Sequence, residues 1–336
     1  LDVDAANNYS ITLVGDWQSN GTFNAHNGAV LFDGTSAQEI NRNVGDNEIF
    51  YDLEIGTNSQ IITDHNIQVR DTLLMNGGNF ILNSGKTLTI GEDATNRGAL
   101  INNSALVVGK LIYWLSSTAD DNRDIVYPIG TASDNRSFII NANNISTSGR
   151  LQLEFVGSNP TNQGLPKNDG LFVVDETFNE GYWKMTVAGG LSISAAAGID
   201  IDGVAGGFGS LTLTENSRLL SRYSSGSDWL VNGTHANVLT DTVRRRGITL
   251  NTYEFAVGHV VECTPVFTSC PTDIVQNNDP GDCGAIVTWT APAPEAICTA
   301  LTVTSNYDPG DFFPVGITEV VYYLWDGPSK VDSCKF

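Results

Sequence analysis

The chain has 336 residues, enough for two or three domains. Only 16% of them are charged, and acidic residues outnumber basic ones 38 to 17, for a formal net charge of −21. That balance argues against nucleic acid or anionic membrane as partners, since both need basic surface, and no apolar run reaches the length of a bilayer span. An acidic surface rich in Asn, Gly, Thr and Ser suits an exposed extracellular protein that holds cations. The sequence opens mid-pattern at Leu1-Asp2-Val3 with no signal peptide. With disulfides expected, the missing signal means either that the N-terminus is processed or that this is an interior piece of a longer polypeptide.

Residues 1–115 show no helical period. Brief β runs recur at roughly 16 to 22 residues: Ile11-Thr12-Leu13-Val14, Ala29-Val30-Leu31-Phe32, Ile49 to Ile55, Ile67-Gln68-Val69, Thr72 to Met75, Phe80-Ile81-Leu82, Leu88-Thr89-Ile90 and Leu106-Val107-Val108. Corners such as Asn20-Gly21, Asp33-Gly34 and Asn76-Gly77-Gly78-Asn79 carry residues that tolerate positive φ. This predicts a β-solenoid, in which each coil buries its apolar row against the next. An ordinary antiparallel sandwich is the alternative, but the turns are too small for Greek-key crossovers. The stretches Gly15-Asp16-Trp17-Gln18-Ser19-Asn20-Gly21-Thr22-Phe23-Asn24, Val30-Leu31-Phe32-Asp33-Gly34-Thr35 and Phe50-Tyr51-Asp52-Leu53-Glu54-Ile55 resemble the rungs of large surface proteins exported by the type IX system of gliding bacteria. That resemblance implies adhesion and surface motility. Asp52 and Glu54 share a strand face about 7 Å apart. As a glycosidase pair they sit at the short end of the inverting range without a third partner, so a solvated face is the expected role.

Ser116 to Asp124 is a polar break, and residues 116–260 then read as short alternating strands at β-sandwich spacing. Tyr127-Pro128-Ile129-Gly130, Gly181-Tyr182-Trp183 and Glu254-Phe255-Ala256-Val257-Gly258 resemble a sandwich that follows the rungs in the same surface proteins, with no enzymatic activity implied. The loop from Ser158 to Lys167 is expected to be exposed and mobile. Asp200-Ile201-Asp202-Gly203 has the first half of a calcium loop, with hard oxygen ligands at Asp200 and Asp202, but lacks the later Glu. A plain turn is the alternative, and Asp120 to Asp124 offers a second such cluster. Arg244-Arg245-Arg246, the one basic cluster, is expected in salt bridges or at a guarded sheet edge.

Residues 261–336 contain all five cysteines, four of which, Cys270, Cys283, Cys298 and Cys334, lie in the stretch from 270 onward among short strands and Pro-Gly or Asp-Gly turns. Ile286 and Thr288 fall on one face of a strand, Val287 and Trp289 on the other; Tyr322 and Leu324 oppose Tyr323 and Trp325 in the same way. Sequence alone allows three pairings of four cysteines, or free buried thiols. A module this short has a thin core, and cross-links are its usual support in an oxidising compartment. The Cys270-Pro271 opening, Cys283-Gly284-Ala285-x-Val287-x-Trp289, Phe313-Pro314-Val315-Gly316 and the closing Cys334-x-Phe336 resemble a hyalin repeat (HYR) module, an immunoglobulin-like sandwich of extracellular adhesive proteins. The resemblance implies bridges Cys270–Cys334 and Cys283–Cys298. One departure is Glu295-Ala296-Ile297-Cys298, where the family reads Thr-Asp-Asn-Cys. The last strand looks unfinished at Phe336, which fits either a truncated module or completion by another chain.

Recognisable catalytic chemistry is missing from the sequence. The histidines His26, His65, His235 and His259 have no metal-ligand spacing, and no nucleophile elbow or phosphate loop occurs. Cys263 is the odd cysteine, expected to pair outside this chain. Thr72 and Thr242, in Asp71-Thr72-Leu73 and Asp241-Thr242-Val243, match a three-residue pattern that resembles the O-glycan acceptor of those secreted bacterial proteins. Sequons at Asn20 and Asn232 are expected by chance in an Asn-rich chain. Trp17, Trp229 and Trp325 would stack on sugars if exposed, but fit the core equally. The expectation is therefore an all-β, non-enzymatic structural and adhesive segment of a cell-surface protein: solenoid, sandwich, then HYR module. It has no cofactor except calcium at Asp200 and Asp202, and a surface polysaccharide or protein as ligand. The alternatives are a carbohydrate-active enzyme with a β-helical part, and a fibre subunit completed by strand donation.

Overall fold

The computed structural model describes residues 6–118, 123–142, 144–170, 172–194, 198–262, 264–295 and 301–336. These residues form strands, turns and bends without a helix. Residues 1–165 and 176–259 make one compact unit; 166–175 and 260–336 make a second.

The first unit begins as a solenoid with three parallel stacks. One stack runs Ile11–Leu13, Ala29–Phe32, Asp52–Ile55, Thr72–Met75 and Ala99–Asn102. The second runs Trp17–Ser19, Ala37–Arg42, Gln60–Thr63, Phe80–Leu82 and Val107–Val108. The third runs Asn47–Phe50, Asn66–Val69, Thr87–Ile90 and Lys110–Leu115. Alternate residues turn inward, as a period of two requires, so Leu53 lies over Leu73, Ile55 over Met75, and Ile67 over Leu88, all buried. Trp17, Phe23 and Phe50 pack edge-on at the first coil.

Coils are 19 to 27 residues long, wider than the 16 to 22 expected from sequence. The longest carries an extra turn at Gly91–Gly98, closed where Asp93 accepts the amides of Thr95 and Asn96. Gly78 marks a tight corner: a Cβ there would lie 1.9 Å from the Ser59 carbonyl oxygen. The abundance of Asn also has a structural reason. Asn66 donates to Asn47 (3.1 Å), Asn103 to Asn76 (2.8 Å) and Asn76 to Glu54 (2.9 Å), so amide side chains bond coil to coil. Inside, Gln38 is a polar hub: its Oε1 accepts Gly34 N–H and Ser59 Oγ–H, while Nε2 donates to Gly15 O.

The sheet continues through the polar break near residue 116. Lys110–Leu115 is parallel to Thr87–Ile90 on one side and antiparallel to Gly149–Val156 on the other, with Leu111 opposite Leu153. Tyr182–Ala188, Tyr253–Glu262 and Arg218–Arg222 extend it. A second sheet, ordered Asp124–Tyr127, Phe138–Ala142, Ile199–Val204, Thr242–Ile248, Thr234–Leu239, covers it to make the sandwich. Phe138, Phe155, Trp183, Phe208 and Phe255 fill the space between, and one hydrophobic cluster runs from Trp17 through Trp183 to Val257. Solenoid and sandwich therefore share a core.

The loop after Ser158, expected to be mobile, is pinned. Thr161 O accepts Trp229 Nε1–H (2.7 Å), and Asn162 Oδ1 accepts both N–H and Oγ1–H of Thr177. Trp229 is fully buried, with the Arg222 guanidinium 4.1 Å above its ring. Arg222 in turn donates to Glu254 at 2.8 Å, a buried ion pair.

The second unit holds the C-terminal module and the hairpin in which Lys167–Asp169 pairs with residues 172–174. The module has an immunoglobulin-like arrangement. A two-stranded sheet pairs Gly284–Ile286 with Phe312–Pro314, and a three-stranded one is ordered Leu301–Ser305, Val321–Asp326, Ser329–Lys335. Its core is small: Val320, Tyr322 and Cys334, flanked by Phe267, Trp289, Tyr307, Phe313 and Phe336.

Candidate functional site

The C-terminal module concentrates the features that bear on function. Cys270 and Cys334 are joined by a disulfide, Cα to Cα 5.7 Å, across 64 residues. The bond ties the entering segment to the last strand, where Asp332 also accepts the amide of Phe267 at 2.8 Å. Val287 and Trp289 turn inward while Ile286 and Thr288 turn out, and Trp289 Nε1 donates to Tyr322 Oη at 2.8 Å. The turn Asp279-Pro280-Gly281-Asp282 is closed by Asp282 N–H to Asp279 O (3.1 Å), with Gly281 at φ +92°.

Beside this core lies an open groove of about 770 Å³. Ile274 and Val275 form one wall and Val315 to Glu319 the other, over a floor that includes Trp289, Phe313 and Phe336. Val275 and Ile317 are fully exposed, at 99% and 104%, and Val315 is 77% exposed. Sequence reasoning missed this groove. The available signal was the alternation Val315-Gly316-Ile317-Thr318, a strand-like stretch that forms no strand here.

The other candidates disperse. Asp200 and Asp202 lie within strand Ile199–Val204, where Asp202 is in register with Arg244. Arg246 bonds Asp202 and reaches Asp200 at 3.8 Å, Arg244 lies 3.7 Å from Asp202, and Asp200 Oδ1 accepts Gly247 N–H. Both carboxylates are thus committed to guanidinium and amide groups on a strand. Between these two arginines Arg245 points inward, fully buried, and donates to the carbonyls of Val231 and Asn232. Asp120 and Asp121 of the second acidic cluster lie outside the described residues, as do Cys263 and Cys298. Cys283 is exposed, with its sulfur unpaired among the described residues.

Thr72 and Thr242 are half-buried at strand starts. The amide of Thr72 donates to Asp52 Oδ1 at 2.8 Å. Thr242 follows a tight turn in which Thr240 and Asp241 both have positive φ. Asp52 and Glu54 face outward on one strand; burial first, then Asp71, raises the Asp52 carboxyl, while Glu54 accepts Asn76. Trp17 and Trp229 are core. Trp325 is half-buried on the outer sheet face beside Tyr323, its Nε1 bonded to Thr304 Oγ1.

Residues 261–336 match the HYR domain family. Among curated proteins, Hyalin of Strongylocentrotus purpuratus is 35% identical over 86 residues, which is 25% of this chain and 7% of that protein. The chain thus spans only a small part of the length of its relative. No solved structure matches it.

Proposed function

We propose that the chain is a non-enzymatic structural and adhesive segment of a long extracellular cell-surface protein. The observation that carries this reading is the HYR-matching module closed end to end by Cys270–Cys334. Such a match fits an adhesion-type extracellular module. A pull entering near residue 270 and leaving near residue 334 passes through the disulfide, so the residues between are outside the load path.

The solenoid supports the same reading. Its coils are joined by repeating backbone bonds and Asn ladders, a construction in which each repeat stabilises its neighbours. The likeness of its rungs to surface proteins of gliding bacteria favours export by a type IX system and a part in surface motility. Its ligand is a surface polysaccharide or protein, and its other partners are neighbouring domains of the same polypeptide. The test is retention of the oxidised chain on immobilised surface glycans and matrix proteins under flow, alongside a polysaccharide depolymerisation screen. Retention without turnover supports the proposal; turnover of any polymer would replace it with a carbohydrate-active enzyme.

A further inference from the structure

Trp325 stands on the outer face of the three-stranded sheet Leu301–Ser305, Val321–Asp326, Ser329–Lys335. Residues directly opposite each other on antiparallel strands share a face. Thr302 is opposite Trp325, and Trp325 is opposite Lys330; Thr304 is opposite Tyr323, and Tyr323 is opposite Ser333. The outer face therefore carries two rows, one of Thr302, Trp325 and Lys330, the other of Thr304, Tyr323 and Ser333. Two contacts fix the side chains. Trp325 Nε1 donates to Thr304 Oγ1 at 2.9 Å, diagonally across the strands, which lays the indole along the sheet. The Lys330 ammonium lies 5.1 Å from the centre of the Tyr323 ring. Thr302, Thr304, Lys330 and Ser333 are exposed, and the two aromatic residues are half-buried.

The charges on this face set it apart from the rest of the chain. Neither row holds a carboxylate, in a polypeptide of net charge −21. Lys330 and Lys335 are the only basic side chains of residues 261–336. Lys335 is paired with Glu319 at 3.2 Å, whereas Lys330 makes no ion pair among the described residues. A polyanion would set the repulsion of the whole chain against one lysine, and a polycation would find no acidic partner in either row. What the rows offer is an indole plane flanked by hydroxyl and ammonium groups. A neutral pyranose matches it, because one face of the sugar ring is made of C–H groups that pack on an aromatic plane, while its hydroxyls both donate and accept around the rim. We propose that this face is a stacking platform for a neutral polysaccharide, with one pyranose lying on Trp325 and its hydroxyls bonded to Thr302 Oγ1 and Lys330 Nζ. Tyr323 holds the ammonium in place through its ring. The assignment rests on the adhesive reading above and gives its ligand a chemical class.

The test uses the full oxidised chain with cellohexaose, xylohexaose and mannohexaose as neutral probes and hexagalacturonate as the acidic one. The expected result is saturable binding of a neutral hexasaccharide, the same at low and high salt because no charge is neutralised, with a shift of the Trp325 indole N–H resonance. Trp325→Ala weakens binding about tenfold or more, equivalent to about 1.4 kcal/mol. Thr302→Val and Lys330→Ala, both at exposed positions, each weaken it several-fold with the thermal midpoint unchanged. No saturable binding of any of the three neutral probes overturns the proposal. So does tighter binding of hexagalacturonate that fades with salt, or retention on matrix protein alone. Retention under flow separates this failure from that of the adhesive reading. If the chain is held by no glycan and no protein, the adhesive reading falls. If it is held on a neutral glycan equally well by wild type, Trp325→Ala and Lys330→Ala, only the assignment to this face falls.

Discussion

Removing the Cys270–Cys334 bond should release hidden length. The bond spans 64 residues, and its Cα atoms are 5.7 Å apart. Extended chain spans about 3.3–3.6 Å per residue, so those residues stretch to about 220 Å when the bond is gone. With it intact they contribute almost nothing to end-to-end extension. The same loop length gives about 4 kcal/mol of chain-entropy stabilisation, a large fraction of what a core as small as Val320, Tyr322 and Cys334 provides. The perturbation is the double variant Cys270→Ala, Cys334→Ala in the full chain, pulled from its two ends in single-molecule force spectroscopy. The expected outcome is one new contour increment of about 220 Å, at lower force than the unfolding of the first unit. If Cys283 is bonded to Cys298, the increment falls by about 50 Å, so the measurement also reads that pairing. Identical increments in wild type and variant would refute the reasoning, because the bond would then lie outside the load path.

Leu73→Ala removes a fully buried side chain from the solenoid and should cost about 2–5 kcal/mol. Because the core is continuous, hydrogen exchange should show the same loss in strand Tyr182–Ala188 of the sandwich; a loss confined to residues before 115 would mean separate folding units. Glu180 is held below its ordinary pKa of 4.5: burial raises it, but the Ser210 hydroxyl and the amides of Gly209 and Ser210 outweigh burial. A depressed folded pKa stabilises above the unfolded value and is lost as pH falls through the folded one. The thermal midpoint of Glu180→Gln should therefore lie below wild type at neutral pH and converge with it below about pH 4.5; a pH-independent gap would contradict this. Since Asp200 and Asp202 are held by Arg244 and Arg246, calorimetric titration with calcium should give the same heat in wild type and in the Asp200→Asn, Asp202→Asn variant. A calcium heat lost in that variant would restore the loop reading.

Much of the first unit was legible because strand period is local. In Asp52-Leu53-Glu54-Ile55 or Thr72-Leu73-Leu74-Met75 each inward residue is named by its neighbours two positions away, and Gly or Asn marks each corner. The module was legible for a different reason: cysteines and a tryptophan at fixed spacing survive as a pattern even where strands are short. What misled was the same locality. Asp200-Ile201-Asp202-Gly203 looks like a turn on its own, and only pairing with Thr242–Ile248 draws it into a strand opposite arginines. The polar run after Ser116 looks like a boundary, yet Lys110–Leu115 acquires Gly149–Val156 as its next neighbour.

The sequence by itself determined the all-β class, the inward rows of the solenoid, the corners, and the composition of a cross-linked terminal module. These follow from side-chain alternation and backbone preference, which act over a few residues. Tertiary structure alone decided that solenoid and sandwich share one core, that Arg245 points inward while its neighbours neutralise Asp200 and Asp202, and that Val315 to Thr318 edges an open groove. Each of these depends on register between segments far apart in the chain, and register is set by which apolar faces and backbone groups find each other in space.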